Sequence, residues 1–326
     1  MLKKITTAAA AVLLAALTAC GSGGGSGDAG STGSAGGDDK ITMGFAQVGA
    51  ESGWRTANTK SIQESAEKAG IDLKFSDAQQ KQENQIKAIR SYIQQKVDVI
   101  AFSPVVETGW DAVLLEAKRA NIPVILTDRA VDSDDTSLYK TFLGSDFVEE
   151  GKKAGEWLKA NAGGAKNIVE LQGTTGAAPA IDRKKGFEDA IAGTDLKIVA
   201  TQTGDFTRSG GKQVMEAFLK SVPQIDVVYA HNDDMGLGAI EAIKAAGKVP
   251  GKDIKIITVD AVKDGMTALA AGEINFIVEC NPLLGDQLME LAKKVVAGEE
   301  VPPRVVTEET TFTPEQAKAE LPNRKY

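Results

Sequence analysis

The chain has 326 residues, and its 37 Lys and Arg against 45 Asp and Glu, with a single His, give a formal net charge of −8. That balance excludes the basic face with which proteins displace counterions from nucleic acid, and 42% hydrophobic with 25% charged residues excludes disorder for the bulk of the chain. Of two cysteines, Cys20 and Cys280, the first falls in a leader, so the mature core has neither an internal disulfide nor a multi-cysteine zinc site.

Lys3 and Lys4 precede a mostly apolar run from Ile5 to Leu17. The run is too short for a bilayer core of about 30 Å, so residues 1–20 read as a signal peptide. It ends in Leu17-Thr18-Ala19-Cys20-Gly21, which resembles a bacterial lipobox and implies that Cys20 is acylated. Residues 21–39 are a Gly/Ser tether with nothing to bury, and the folded part is expected from about Lys40, held to the membrane only by its lipid. Gly25, Gly27 and Gly30 spell G-x-G-x-x-G inside this tether, with no strand before them, and carry no nucleotide-binding meaning.

Beyond Lys40, short β-branched runs alternate with longer segments of helical period. Strands are predicted at 41–45, 71–75, 97–102, 124–127, 141–144, 167–171, 197–202, 226–229, 255–259 and 275–278. Between them Ile86, Ile89 and Ile93 share one helical face, as do Val113, Leu114 and Ala117. This alternation predicts parallel sheets covered by helices on both faces. An internal echo divides the strands between two sheets: the run from Val97 to Phe102 leads through a helix to a strand ending in Asp128, and Ile225 to Ala230 leads through another to Asp260. Polar residues just past the carboxyl ends of such strands are where open α/β sheets bind ligands.

Several chemistries find no support. No Gly-Lys is followed by Ser or Thr, and no core Ser stands in G-x-S-x-G beside the lone His231, so neither an ATPase phosphate loop nor a serine hydrolase is expected. Asp132-Ser133-Asp134-Asp135 lacks the glycine and terminal glutamate of a calcium loop and reads as a solvated turn. Cys280 is expected to pack as a small hydrophobe. Paired carboxylates among Glu51, Asp128, Asp260 and Glu279 leave a glycosidase open as an alternative to sugar binding without turnover.

The blocks Glu51-Ser52-Gly53-Trp54-Arg55, Gln79 to Gln85, Thr108-Gly109-Trp110, Ile181 to Phe187, Gly204 to Ser209 and Tyr229 to Met235 occur in an order that resembles the substrate-binding proteins of bacterial ABC sugar importers. This is the family of the ribose- and galactose-binding proteins. The resemblance implies a periplasmic-binding-protein type I fold: α/β, with two similar doubly wound parallel-sheet lobes joined by a three-segment hinge. The lobes would be 40–144 with 281–308, and 145–280 with 309–326. It also implies a galactofuranose-like monosaccharide as ligand, an ABC permease with its ATPase subunit as partners, an extracytoplasmic location, a monomer, and no enzymatic activity, cofactor or metal.

Carried onto this chain, the resemblance makes Trp54 and Phe206 the stacking faces for the sugar ring. Arg55, Asp128, Arg129, Arg183, Asn232, Asp260 and Glu279 would form the hydrogen-bonding shell, with Glu51, Asp205, Arg208 and His231 orienting it. The chemistry suits adjacent hydroxyls, which pair well with carboxylate, guanidinium and amide groups. One departure stands out: the family usually has Gly after the aspartate matched by Asp260, and here Ala261 disfavours a positive φ. Sugar-responsive repressors share such a core, but they carry a DNA-binding segment where this chain has its leader. Delivery of sugar to a sensor remains a further alternative.

Overall fold

A computed structural model describes residues 40–326; the signal peptide, Cys20 and the tether lie outside the described residues. The first strands, β1 (Thr42–Gln47), β2 (Asp72–Asp77), β3 (Val99–Phe102), β4 (Val124–Thr127) and β5 (Thr141–Gly144), are separated by α1 (Gly53–Ala69), α2 (Gln82–Gln95) and α3 (Asp111–Arg119). Then α4 (Phe147–Asn161) opens a second run, β6 (Asn167–Gln172), β7 (Lys197–Thr203), β8 (Val227–Ala230), β9 (Lys255–Asp260) and β10 (Phe276–Glu279). Its helices are α5 (Ala178–Ile191), α6 (Arg208–Ser221), α7 (Asp233–Ala245) and α8 (Lys263–Ala270). The tail adds α9 (Gly285–Val296), β11 (Arg304–Val306), β12 (Thr311–Phe312) and α10 (Pro314–Glu320).

The strands form two six-stranded sheets, ordered β11-β5-β4-β3-β1-β2 and β12-β10-β9-β8-β6-β7. All pairings are parallel except β10 with β12. Advancing each strand number of the first run by five reproduces the second order, so the sequence echo is a repeated topology. This is the periplasmic-binding-protein type I fold.

Both faces of each sheet are covered, which explains why the strands read as nearly continuous apolar runs. In β3, Val99 and Ala101 pack with Met43, Phe45 and the α9 residues Leu288 and Ala292, while Ile100 and Phe102 pack on the opposite face with Ile89 and Leu114. The second sheet repeats this, with Tyr229 and Val259 on one face and Val228 and Ile256 on the other.

All ten predicted strands are present, displaced by at most two residues at either end. The two short strands β11 and β12 were not anticipated. They hold three and two residues, and what makes them strands is the sheet edge each meets, not an apolar pattern of their own. The chain passes between the sheets in three links: after β5, between β10 and α9, and between β11 and β12.

Candidate functional site

In each sheet the strand order reverses beside the first strand of its run, and the crevice past the strand tips there is the expected ligand position. Around it lies a small cavity lined by Glu51, Ser52, Trp54, Arg55, Asp128, Arg129, Phe147, Pro179, Arg183, Phe206, Asn232, Asp260 and Cys280. Eight of the nine residues expected to hold sugar, all but Glu279, meet here, and Glu51 joins them from the orienting group. The cleft is closed. Gly53 N at the start of α1 donates to Asp234 Oδ2 at 2.7 Å, and Glu107 N donates to the Gly176 carbonyl at 2.9 Å.

The wall from the first sheet is a charge network. Ser52 caps α1, accepting from Arg55 N at 3.1 Å, and so fixes where Trp54 and Arg55 leave the helix. Buried Arg55 donates to Asp128 Oδ2 at 2.7 Å, to Glu51 Oε1 at 3.1 Å and to Gln47 Oε1 at 3.2 Å. Asp128 Oδ2 also accepts from Ser103 Oγ at 2.7 Å, so the residues after β1, β3 and β4 are tied to one another. Burial opposes ionisation of Asp128, but Arg55 and Arg129 hold its carboxyl below the usual range. Arg129 donates to the Val105 carbonyl at 3.2 Å and lies 5.3 Å above the Phe206 ring, reaching across the cleft. Burial and the neighbouring Arg55 push its guanidinium down to about 10.

The opposite wall is set by α4, α5 and the ends of β8 and β9. A Cβ on Gly151 would lie 2.1 Å from the Arg183 carbonyl oxygen, and one on Gly186 2.0 Å from that of Val148, so only glycine lets α4 and α5 approach this closely. That approach puts Glu150 Oε2 2.6 Å from Arg183 Nε, while Arg183 Nη1 donates to the His231 carbonyl at 2.6 Å. Phe206 has φ 61° after Asp205 at 54°, and its ring lies over Gly173, whose Cβ would fall 1.9 Å from Cζ. Asn232 caps α7 through Oδ1 to Met235 N and donates to the Phe206 carbonyl, both at 3.0 Å.

Asp260 is the least compensated member. Its Oδ1 is 4.0 Å from Arg183 Nη2 and its Oδ2 has no hydrogen-bond partner, so burial pushes the carboxyl well above its ordinary range. The turn that presents it keeps left-handed geometry despite the alanine: Asp260 has φ 123° and Ala261 has φ 66°. Such backbone costs an alanine about 1 kcal/mol. It is held by Arg324 Nε on the Ala261 carbonyl at 2.6 Å and by Val262 N on Asp233 Oδ2 at 2.8 Å.

Four expected residues do not face the cavity. Glu279 is a correction: Arg324 and Tyr326 take its Oε1, both at 2.8 Å, and Thr310 N takes its Oε2, so the carboxylate ties the tail to β10 instead of reaching the cleft. Asp205 is exposed and accepts from Thr203 Oγ1 at 3.0 Å. Arg208 pairs with Asp264 at 2.9 Å and Asp234 at 3.4 Å at the cleft edge. His231 is fully buried; Nδ1 accepts from Gly173 N at 3.4 Å, which leaves Nε2 to donate to Glu170 Oε1 at 3.0 Å. Burial holds its imidazole below the usual value, and its carbonyl steadies Arg183.

Ser52, Phe147, Pro179 and Cys280 line the cavity without having been singled out as site residues. Pro179 stands four residues before Arg183 on one helical face, a spacing that was readable. Cys280 is buried, yet it does more than fill space: its sulfur lies 3.3 Å from Ser145 Oγ, and its carbonyl accepts from Trp54 Nε1 at 2.7 Å. Glu150 also escaped notice, although a glutamate among the buried α4 positions Phe147, Gly151, Ala154 and Leu158 breaks an otherwise apolar stripe.

A two-lobed fold closed over a polar cavity flanked by aromatics defines a class of extracytoplasmic solute-binding proteins. Residues 43–300 match the family model described as periplasmic binding protein domain, and the chain belongs to that family. It is 50% identical over 291 residues, 87% of this chain and 92% of the relative, to the galactofuranose-binding protein YtfQ of Escherichia coli K12. A solved structure from Mycobacterium smegmatis, in complex with β-D-fucofuranose, is 70% identical with a TM-score of 0.86, covering 88% of this chain and 95% of that one. The binding protein of the arabinose ABC transporter from Shewanella sp. ANA-3, bound to α- and β-L-arabinofuranose, is 51% identical with a TM-score of 0.85, covering 87% and 96%.

Proposed function

We propose that this protein captures a furanose-ring monosaccharide, galactofuranose-like, by closing its two lobes, and delivers it to an ABC permease driven by an ATPase subunit. The lobes are taken as residues 40–144 with 281–308 and 145–280 with 309–326. The protein works outside the cytoplasm as a monomer, anchored through a lipid on Cys20, and does not alter its ligand.

The observation that carries this reading is the set of buried polar atoms without a hydrogen-bond partner at the cavity: Glu51 Oε2, Arg129 Nε and Asp260 Oδ2. Two acceptor sites and a donor, flanked by Trp54 and Phe206, suit a ring with adjacent hydroxyls and apolar C–H faces. Burying such groups is costly unless they are paired, so a sugar lacking one matching hydroxyl loses about 1–3 kcal/mol, ten- to a hundredfold in affinity. The relatives bound to fucofuranose and arabinofuranose support the five-membered ring. A glycosidase is less well supported, because Asp128 is already committed to Arg55 and Ser103.

Calorimetry with D-galactose, D-fucose and L-arabinose, each at its ring-form equilibrium, tests this, with carbon NMR reading the ring form retained. Binding of furanose is expected, with the sugar recovered unchanged. Retention of pyranose alone, conversion of the sugar, or no binding of any of them would refute it.

A further inference from the structure

The link between β11 and β12 carries a glutamate that touches every passage between the sheets. Glu309 Oε1 accepts from Ser145 Oγ on the first link, from Asn281 N at 3.0 Å on the second, and from Thr307 Oγ1 at 2.9 Å on its own. Beside it stands Glu150, 1% exposed, with Oε2 on Arg183 and Oε1 without any partner. Carboxylate oxygens of the two glutamates and the Cys280 sulfur lie within 4.8 Å of one another.

Two carboxylates this close, one fully buried, cannot both stay ionised unless the surroundings supply two positive charges. Arg183 supplies one. The other groups facing Glu150 do not help: Asp260 at the end of β9 is acidic, and the Cys280 thiol and Tyr229 hydroxyl are held neutral by burial. Around Glu309, Lys153 donates to its backbone carbonyl at 3.3 Å and Arg304 to the Ser145 carbonyl at 2.7 Å, and neither forms an ion pair with its carboxylate. A divalent cation between them is the other source of positive charge, and EDTA tests for it.

We propose that Glu150 and Glu309 share one proton across the hinge, and that this bridge positions Arg183 for the sugar and makes affinity depend on pH. The inference rests on the sugar-binding reading above. Glu150 is pushed up to about 8, by burial first and with Glu309 adding to the rise against the pull of Arg183. Above that pH the bridge is lost and the two carboxylates repel beside the hinge links, which works against the closed form. Neither glutamate touches the ligand; both are positioning residues.

Calorimetric titration with L-arabinose between pH 6 and 9.5, on wild type and Glu309→Gln, with and without EDTA, tests it. Wild-type affinity is expected to fall through about pH 8, at most about tenfold per pH unit for one proton. In Glu309→Gln the amide oxygen keeps the three donors and the amide N–H replaces the shared proton on Glu150, so the slope should be clearly shallower. Thermal unfolding over the same range reads the pair without sugar: wild-type stability should decline more steeply with pH up to about 8 than that of the variant, in which burial of Glu150 and Asp260 still leaves a shallower decline. Flat wild-type affinity, an equal slope in the variant, or binding abolished by EDTA would overturn the bridge. Absence of binding of D-galactose, D-fucose and L-arabinose alike at pH 6.5 would instead refute the sugar reading, leaving the unfolding comparison to judge the proton.

Discussion

Asp128 and Asp260 end equivalent strands in the two sheets and face one cavity, yet their surroundings give them opposite electrostatics. Asp128 has Arg55 at 2.7 Å and is held ionised; removing it strands a buried guanidinium. Asp128→Ala is therefore expected to cost about 3 kcal/mol in unfolding free energy, read by urea denaturation, as well as binding. Burial pushes the Asp260 carboxyl well above its ordinary range. Its folded value exceeds its unfolded one, so it takes stability away as pH rises from about 4 toward that raised value. Asp260→Asn should remove this slope and leave stability at pH 7 equal or higher, while sugar affinity falls at least tenfold by calorimetry. The resemblance gives Trp54 a stacking role against the sugar. Its ring packs with the second-sheet cluster and its N–H reaches the Cys280 carbonyl, so Trp54→Ala should weaken binding well over tenfold and lower the melting temperature too.

At the scale of elements, the ten principal strands were legible because a strand buried on both faces must be apolar throughout, and 124–127 and 141–144 matched to the residue. The candidate site was legible where a charged residue stands at the tip of such a strand, as Asp128 does after β4 and Asp260 at the end of β9. It was not legible where the deciding contact is made by chain far away in sequence. Glu279 also follows a strand, but Arg324 and Tyr326 claim it, and nothing local to Glu279 announces them. Glu150 has the converse history, since only the close approach of α4 and α5 makes it a partner of Arg183. Gly186→Ala tests that approach: the added methyl meets the Val148 carbonyl, so stability should fall by about 1–3 kcal/mol in urea and sugar affinity with it.

For the whole molecule, closure depends on contacts outside the cavity. The Asp234 carboxylate, in the first turn of α7, accepts from the first N–H of α1, so two positive helix ends share one negative charge across the cleft. Asp234→Asn weakens that contact without touching the cavity wall. Stopped-flow measurements should give a dissociation rate raised about tenfold with the association rate nearly unchanged. An unchanged dissociation rate would mean that the lips contribute nothing once the cavity is filled.

The placement of β11 and β12 also bears on the order in which the molecule can be assembled. Apart from its two-residue edge strand, the second sheet is drawn from one uninterrupted stretch, 167–279, whereas the first lacks α9 and β11 until residue 306 has been made. A chain emerging amino-terminus first through a membrane pore thus has its carboxyl-terminal half ready to condense while its amino-terminal half still waits for a cover. Loss of residues 307–326 would strip the second sheet of its edge strand and spare the first.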